Sequence, residues 1–156
     1  MESELKIIES IRRRVSLPRG CGIVRGIGDD CAIFRTPGSA EDLLFTTDML
    51  IEDVHFRRKA HRAEDLGWKA LARGLSDIAA MGGEPRFCLL SLVAPRWASK
   101  SWLDAFYDGL LVLAEREHAP LAGGDLARSG QFACDVVVCG AVPRGQALRR
   151  NGARRG

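Results

Sequence analysis

The sequence predicts an α+β domain in which helices pack on one face of a mixed, mainly antiparallel sheet. Helical and strand-like segments alternate along the chain, and two long segments carry apolar residues at helical spacing. At 156 residues, with 46% hydrophobic residues, the chain suits one domain with a single core. A helical layer on one side of a sheet is a common way to bury such elements.

The first third of the chain predicts one helix followed by short strands. Residues 2–14 carry apolar side chains at helical spacing and end in three arginines, which suit the carboxyl end of a helix. Strand-like runs follow at residues 22–27, 32–35 and 43–47. The acidic pair Asp29 and Asp30 therefore lies between strands.

The rest of the chain alternates helices with strands. Residues 63–81 repeat large apolar side chains every three or four positions, and a Gly-Gly-Glu-Pro sequence ends the segment. Residues 87–94 resemble a strand, and residues 99–117 predict a second long helix. A short apolar stretch then leads into Gly123-Gly124-Asp125, and residues 132–142 alternate well enough for a final strand.

The carboxyl end differs from the rest in charge. Its last thirteen residues contain five arginines and no acid, whereas the whole chain has a net charge of +3. We therefore expect residues 1–145 to form the folded domain and residues 146–156 to be a linker to a carboxyl-terminal domain. Because the basic excess is confined to this end, the sequence does not predict nucleic-acid binding, which favours a basic face with interleaved aromatic residues.

The cysteines and the apolar segments indicate a soluble, cytoplasmic protein. The five cysteines are odd in number and form no C-x-x-C pair, which disfavours a disulfide framework or a zinc knuckle. We expect reduced, buried thiols. The first segment lacks the apolar core of a signal peptide, and no stretch approaches the roughly eighteen apolar residues of a membrane span.

Four acidic sites carry the candidate chemistry, and we expect each at the end of a strand or helix. Converging carboxylates repel one another, and a bound cation relieves that repulsion. Oxygen-only ligands favour Mg²⁺, which commonly bridges carboxylates to phosphates. Nearby threonines add oxygen ligands, and glycines let a phosphate approach the backbone. The four acidic sites are Asp29-Asp30, Asp48, Asp77 and Asp125, and the threonines are Thr46 and Thr47 beside Asp48.

Each of these residues also has a purely structural interpretation. Asp29-Asp30 and Asp125 are typical of turns. Asp77 lies four residues after Arg73, so an exposed helical ion pair would explain it. The sequence has no P-loop, no complete G-x-G-x-x-G, and no HRD or DFG motif of a protein kinase. The residues alone therefore predict magnesium and a polyphosphate, without specifying a reaction.

Four segments together resemble the thiamine-monophosphate kinase family. This family is a branch of the superfamily of aminoimidazole ribonucleotide synthetase and selenophosphate synthetase. The likeness covers nearly all of residues 1–152 in order and spacing. The segments are GIGDDCAI (26–33), TTDMLIEDVHF (46–56), ALARGLSDIAAMGGEP (70–85) and GGDLARS (123–129).

The resemblance implies ATP-dependent phosphorylation of thiamine monophosphate to thiamine diphosphate, by Mg²⁺-assisted in-line transfer without a phosphoenzyme or a protein base. It also implies a homodimer formed through the amino-terminal sheet. By matching motif, the implied metal ligands are Asp30, Thr46, Thr47, Asp48, Asp77 and Asp125. The implied ATP contacts are Tyr107, Gly124, Asp125 and Arg150, and the implied thiamine contact is His55.

The sequence departs from the family pattern in places. Asp53 stands where the family usually has glycine, and Gly83-Glu84 stands in place of the usual Ala-x before the proline. The family's carboxyl-terminal domain, which supplies further metal ligands and much of the substrate site, lies outside this sequence. Two alternatives therefore stay open: a non-catalytic Mg-ATP-binding or dimerisation module derived from this family, and a superfamily member that acts on another phosphate acceptor.

Overall fold

The computed structural model of the protein describes residues 3–152. Two 3₁₀ turns, at Arg58–Ala60 and Arg150–Gly152, supplement the regular elements. The predicted helix start at residue 2 and the linker residues 153–156 lie outside the described part. The helices and strands are α1 (Glu4–Arg14), β1 (Ile23–Arg25), β2 (Ala32–Phe34), β3 (Glu41–Ile51), α2 (Ala63–Ala80), β4 (Glu84–Ala94), α3 (Lys100–Arg116), β5 (Leu121–Arg128) and β6 (Ala133–Pro143).

The six strands form one sheet in the order β1-β2-β3-β6-β4-β5. All neighbouring pairs are antiparallel except β4 and β5, which run parallel because α3 carries the chain back between them. The prediction of a mixed, mainly antiparallel α+β fold is confirmed.

The core lies between the sheet and helices α2 and α3. Helix α2 packs on β3, β6 and β4, and α3 packs against α2. Two glycines permit this close helix contact. A Cβ atom on Gly67 would lie 1.8 Å from the carbonyl oxygen of Phe106, and one on Gly109 would lie 1.9 Å from that of Glu64. The two helices therefore form a firm layer on one face of the sheet.

The first helix, α1, contributes no buried side chain to the core. None of the side chains of α1 is buried, and Leu5 is 78% exposed. The opposite face of the sheet, which α2 and α3 do not cover, carries apolar side chains that are only half buried, including Leu43, Phe45 and Val137.

No helix within residues 3–152 is both long enough and apolar enough to cross a membrane. All five cysteines are free thiols, and four of them are buried.

Strands β3 and β5 are longer than predicted, so Asp48 and Asp125 lie inside strands and not at their ends. Strand β3 pairs with β6 along its whole length, including its polar Thr-Thr-Asp stretch. Strand β5 pairs in parallel with β4 through Gly123, Gly124 and Asp125. Glycine and aspartate are depleted in strands, so the local composition predicted shorter strands than the structure has.

Asp53 adopts a left-handed backbone conformation with φ of 63°. Glycine reaches this region without strain, and aspartate tolerates it better than most other residues. The turn after β3 therefore suits glycine and also accepts the aspartate found here.

Candidate functional site

Three predicted metal ligands converge where α2 crosses β3, and we call Asp30, Asp48 and Asp77 the carboxylate cluster. Asp77 lies in the last turn of α2, and Asp48 lies on the face of β3 that α2 covers. Asp30 belongs to the loop between β1 and β2. Thr46, two residues before Asp48 and therefore on the same face, donates its hydroxyl to Oδ2 of Asp77 at 2.6 Å.

Each carboxylate of the cluster has one oxygen engaged by a neighbouring side chain. Arg73 donates from Nε and Nη2 to Oδ1 of Asp48, at 3.1 and 2.5 Å. Arg150 donates from Nε and Nη2 to Oδ1 of Asp30, at 3.2 and 2.5 Å. The second oxygen of each of the three carboxylates accepts no hydrogen bond from another described residue. The cluster thus fixes its carboxylates and leaves three acceptor oxygens available.

The electrostatics show that these charges interact. Burial raises the pKa of Asp77 above its usual value, the charges of Asp48 and Asp30 raise it further, and the Thr46 hydrogen bond opposes the shift. Burial, followed by the charges of Asp77, Asp30 and Asp29, raises the pKa of the Cys31 thiol to about 12. The hydrogen bond from Arg150 lowers the pKa of Asp30. Cys31 is therefore a protonated, buried neighbour of the cluster.

Asp29 differs from Asp30 in its contacts, although the two are adjacent in sequence. The Asp29 side chain is 0% exposed, its Oδ2 accepts Nε of Arg25 at 3.1 Å, and its Oδ1 accepts the backbone N–H of Arg150 at 3.0 Å. Both oxygens are engaged, so Asp29 holds the β1–β2 loop and the segment at residue 150 together. The structural interpretation suits Asp29, whereas Asp30 has one oxygen that no other described residue engages.

The helical ion-pair interpretation of Asp77 does not match its contacts. Arg73 reaches Asp48 on β3, and Asp77 bonds to Thr46. The other candidate cation on this face, Lys69, donates to the carbonyl oxygen of His55 at 2.9 Å. Asp77 is thus a partly buried residue facing the sheet.

Two implied metal ligands have side chains outside the cluster. Thr47 faces the uncovered side of the sheet, where its hydroxyl donates to Oδ1 of Asp135 at 3.0 Å. Asp125 is exposed and pairs in register with Ser91 on the edge of the sheet. Paired residues point to the same side of a sheet, and Ser91 is exposed between two buried leucines, so the register directs Asp125 away from the helices.

The implied ATP contacts of β5 lie at a separate groove. Tyr107, Gly124 and Asp125 line an open groove of about 460 Å³ beside this edge strand. A Cβ atom on Gly124 would lie 1.8 Å from the carbonyl oxygen of Leu90, so only glycine fits there. Burial raises the pKa of Tyr107, which keeps its hydroxyl protonated.

The sheet register relates this groove to the carboxylate cluster. Asp48 pairs with Val136, Val136 with Leu90, and Leu90 with Gly124. Three steps between neighbouring strands separate Asp48 from Gly124, or about 14 Å along the sheet. The groove and the cluster are thus separate parts of one chain surface and not one cavity.

His55, the implied thiamine contact, closes the turn after β3. Its Nδ1 accepts the backbone N–H of Ile51 at 3.0 Å, so the other ring nitrogen, Nε2, carries the proton in the neutral form. The ring is half buried. Its position lies beyond the carboxyl end of β3, away from the groove on β5.

The donor set suits a hard divalent cation. Within residues 3–152, no three His, Cys, Asp or Glu side chains form a ready-made metal site. Mg²⁺ commonly binds through one or two carboxylates and completes its octahedral shell with water and phosphate oxygens. The three available carboxylate oxygens therefore fit a metal that arrives with phosphate better than one enclosed by protein alone.

Comparison with known proteins identifies the family. The profile of the AIR synthase related protein family, N-terminal domain, matches residues 28–144. The chain belongs to this family. It is also a homologue of thiamine-monophosphate kinases: it is 40% identical to that of Bacillus subtilis over 127 residues, which is 81% of the chain and 39% of the relative. The Escherichia coli K12 enzyme is 41% identical over 131 residues, 84% of the chain and 39% of the relative.

Solved structures of related proteins agree with the fold. The structure of AaThiL complexed with AMPPCP and TMP superimposes with a TM-score of 0.87 at 32% identity, over 100% of the chain and 48% of that protein. Thiamine-monophosphate kinase from Stenotrophomonas maltophilia gives a TM-score of 0.70 at 45% identity, over 99% and 47%. The chain thus spans less than half the length of these relatives.

Sequence reasoning offered Asp77 as the partner of Arg73, whereas the structure pairs Arg73 with Asp48. It missed Arg25 and Asp135 as partners of site residues. The two-residue period of a strand would have separated Thr46 from Thr47. The partners of Arg73 and Arg25 depend on how α2 and the β1–β2 loop dock, which local sequence does not reveal.

Proposed function

We propose that the chain is the amino-terminal, metal- and nucleotide-binding half of a thiamine-monophosphate kinase, which phosphorylates thiamine monophosphate to thiamine diphosphate with ATP. The observation that supports this most is the carboxylate cluster, in which three side chains are fixed and each keeps one oxygen available. The homology to these kinases and the AMPPCP and TMP of a related structure support the same reading.

In this proposal the available oxygens of Asp30, Asp48 and Asp77 hold Mg²⁺. A bound Mg²⁺ neutralises phosphate charge and orients the transferred group. Thr46 orients Asp77, which reduces the freedom of that carboxylate before the metal binds. Only one of the backbone carbonyl oxygens of Thr46 and Thr47 points away from β6, and that oxygen is a further candidate ligand. The Thr47 side chain faces the other side of the sheet.

The nucleotide is proposed to bind at the groove of Tyr107, Gly124 and Asp125. Gly124 is required by its close contact with the backbone of Leu90, and it lines the groove without a side chain. Asp125, exposed at this edge, is proposed as a metal ligand on the nucleotide side. Arg150 is proposed to exchange Asp30 for nucleotide phosphate, because its guanidinium is 62% exposed and its pairing with Asp30 is reversible.

His55 is proposed to contact thiamine monophosphate, with Nε2 available as a donor because Nδ1 is engaged by the backbone. The reaction needs no protein base in this scheme, because in-line transfer depends chiefly on position and charge. We place the domain within residues 1–145, with residues 146–156 leading to a second half that completes the substrate site, and the whole enzyme in the cytoplasm.

A homodimer through the uncovered sheet face is part of the proposal. This face carries half-buried apolar residues around Phe45 and Val137 and lacks a covering helix within the described chain. A second copy would bury these side chains, which favours association. Sedimentation of a Val137→Glu variant tests this: we expect the variant to remain monomeric where the parent chain dimerises.

Calorimetric titration with the non-hydrolysable analogue AMPPCP, with and without Mg²⁺, tests the central proposal on this chain. We expect binding that depends on Mg²⁺ in the parent chain and is lost in Asp48→Ala and Asp77→Ala, while circular dichroism shows an intact fold. Asp104→Ala is the matched control, because Asp104 is an exposed helical carboxylate whose ion pair, within the part of the chain that the structure describes, is with Lys100 alone.

Two other outcomes would redirect the proposal. Binding of AMPPCP to the same extent with and without Mg²⁺ would contradict a metal role for the cluster. Mg-dependent binding, with no thiamine diphosphate formed when the chain is joined to the carboxyl-terminal half of the Bacillus subtilis relative, would favour the non-catalytic binding module.

A further inference from the structure

Arg73 is the one arginine of α2, and the function proposed above gives it no role. Its guanidinium places two N–H donors on one oxygen of Asp48, and it is 34% exposed while Asp48 is 20% exposed. Arginine four residues before aspartate in a helix usually pairs along that helix, but here Arg73 bridges from α2 to β3. The contact places a fixed positive charge inside a set of carboxylates.

The charge balance of the cluster follows from these contacts. Three carboxylates face two guanidiniums, Arg73 and Arg150, so the formal net charge is −1. Without Arg73 the net charge would be −2. A divalent cation approaching the available oxygens therefore meets half the negative charge that the cluster would otherwise present.

We propose that Arg73 is a positioning residue that acts as the built-in counter-ion of Asp48, so that the cluster disfavours a bare divalent ion and takes the metal together with anionic phosphate. This inference rests on the proposed Mg-nucleotide site, and it adds that the site prefers Mg²⁺ together with phosphate to Mg²⁺ alone. Arg73 repels Mg²⁺ alone and attracts phosphate alone, and the two charges are best accommodated when both ligands are present.

Two effects of removing Arg73 oppose each other for bare Mg²⁺, and charge is the larger. Arg73 holds only Oδ1 of Asp48, and aspartate has just two side-chain torsions, so releasing it costs the site little order. Removing a positive charge next to the ligands strengthens attraction for a doubly charged ion and also returns Oδ1 as a possible ligand. The net effect on Mg²⁺ alone is tighter binding.

Calorimetric titration of the whole chain separates this role from a merely structural one. In Arg73→Met we expect Mg²⁺ alone to bind at least about threefold tighter, and metal-free AMPPCP to bind at least about threefold more weakly. A structural defect would weaken both. Arg73→Lys keeps the charge and should restore both affinities to within about twofold of the parent chain.

Arg86→Met is the matched control, because Arg86 pairs with Glu41 near the opposite end of β3 and both side chains are exposed. We expect it to change neither affinity. Circular dichroism checks the fold, and Arg73→Gln replaces Arg73→Met if the latter does not fold. Normal Mg²⁺ binding by the parent chain with no change in the variant would overturn this inference alone. An absence of Mg²⁺ binding in both, with and without AMPPCP, would overturn the proposed function as well.

Discussion

Strand β3 presents two carboxylates on the face that α2 covers, and their surroundings satisfy them to different degrees. Asp42 is 1% exposed, and Arg35 donates to both of its oxygens, at 2.6 and 2.8 Å, while the backbone N–H of Gly145 adds a third hydrogen bond at 2.8 Å. Asp48, six residues further on, has one oxygen engaged by Arg73 and the other available.

The difference separates a structural ion pair from a candidate site. Asp42 on β3 is bonded to Arg35, which directly follows β2, and to the backbone N–H of Gly145, which follows β6. It therefore joins these three parts of the chain. Three of the roughly four acceptor positions of this buried carboxylate are occupied, which leaves little capacity for a ligand. Asp48, Asp30 and Asp77 are oriented but not saturated, which suits groups that bind and release a metal. Unused acceptor capacity, more than the presence of an acid, distinguishes the two regions.

The largest expected effect tests the structural end of this comparison. Asp42→Asn removes a buried charge opposite Arg35 and disrupts a three-bond network, so we expect the free energy of unfolding to fall by about 2–3 kcal/mol. Urea unfolding followed by circular dichroism measures this. The affinity for Mg-AMPPCP, where the folded variant is measured, should stay unchanged.

Asp48→Asn is the matched variant for Asp42→Asn. We expect it to lower the free energy of unfolding by less than about 1 kcal/mol, because the Arg73–Asp48 pair is partly exposed. It should also abolish Mg-dependent AMPPCP binding. Equal losses of stability in the two variants would remove the distinction between a structural pair and a site.

Asp77→Asn has an intermediate expected effect of opposite sign. Burial and the neighbouring charges of Asp48 and Asp30 raise the pKa of Asp77, so its ionised form opposes folding in the metal-free chain. The amide oxygen of asparagine still accepts from Thr46. We expect the variant to be more stable than the parent chain at neutral pH, and to lose the stabilisation that Mg-AMPPCP gives the parent chain.

The pH dependence of this gain follows from the direction of the shift. A carboxyl with a raised pKa in the folded state favours folding while it is protonated, and that contribution is lost as pH rises through the folded-state pKa. The advantage of Asp77→Asn over the parent should therefore be small at about pH 4 and grow towards neutrality. Urea unfolding of both proteins at several pH values measures it. A constant difference would show that the charge of Asp77 is not the cause.

The sequence predicted the elements well where the period was clear and the ends carried glycine or proline. The helix predicted at residues 63–81 corresponds to α2, Ala63–Ala80, since its apolar spacing and the Gly-Gly stop act locally. The full extent of β3 depends on pairing with β6, almost ninety residues later in the chain, which local composition does not encode. The four acidic sites were chosen from the sequence, but which carboxylate oxygens remain free was not accessible to it.

The resemblance and the geometry also differ in kind. The pattern of acidic residues takes Asp29 and Asp30 as one site, and the resemblance implies Asp30 alone as a metal ligand; the fold engages both oxygens of Asp29 and only one of Asp30. The partners that decide this are Arg25 and Arg150, which lie near opposite ends of the sequence. The pattern of residues locates the pair, and the docked partners supply the physical difference between its two members.

The smallest expected effect tests that assignment. Arg150→Gln removes the side-chain pair with Asp30, and because Arg150 is 62% exposed we expect a change in unfolding free energy below about 0.5 kcal/mol. The backbone N–H of residue 150 donates to Asp29, and that of Leu148 donates to the carbonyl of Met81 at 3.0 Å. These bonds remain in the variant. Amide hydrogen exchange at residues 148 and 150 should therefore change by less than about threefold.

Asp29→Asn is the contrasting variant, expected to speed exchange at residue 150, because an amide oxygen is a weaker acceptor than a carboxylate. If Arg150→Gln speeds exchange more than Asp29→Asn does, the Asp30 pair holds this segment, and Asp30 would then belong with Asp42 among the structural carboxylates.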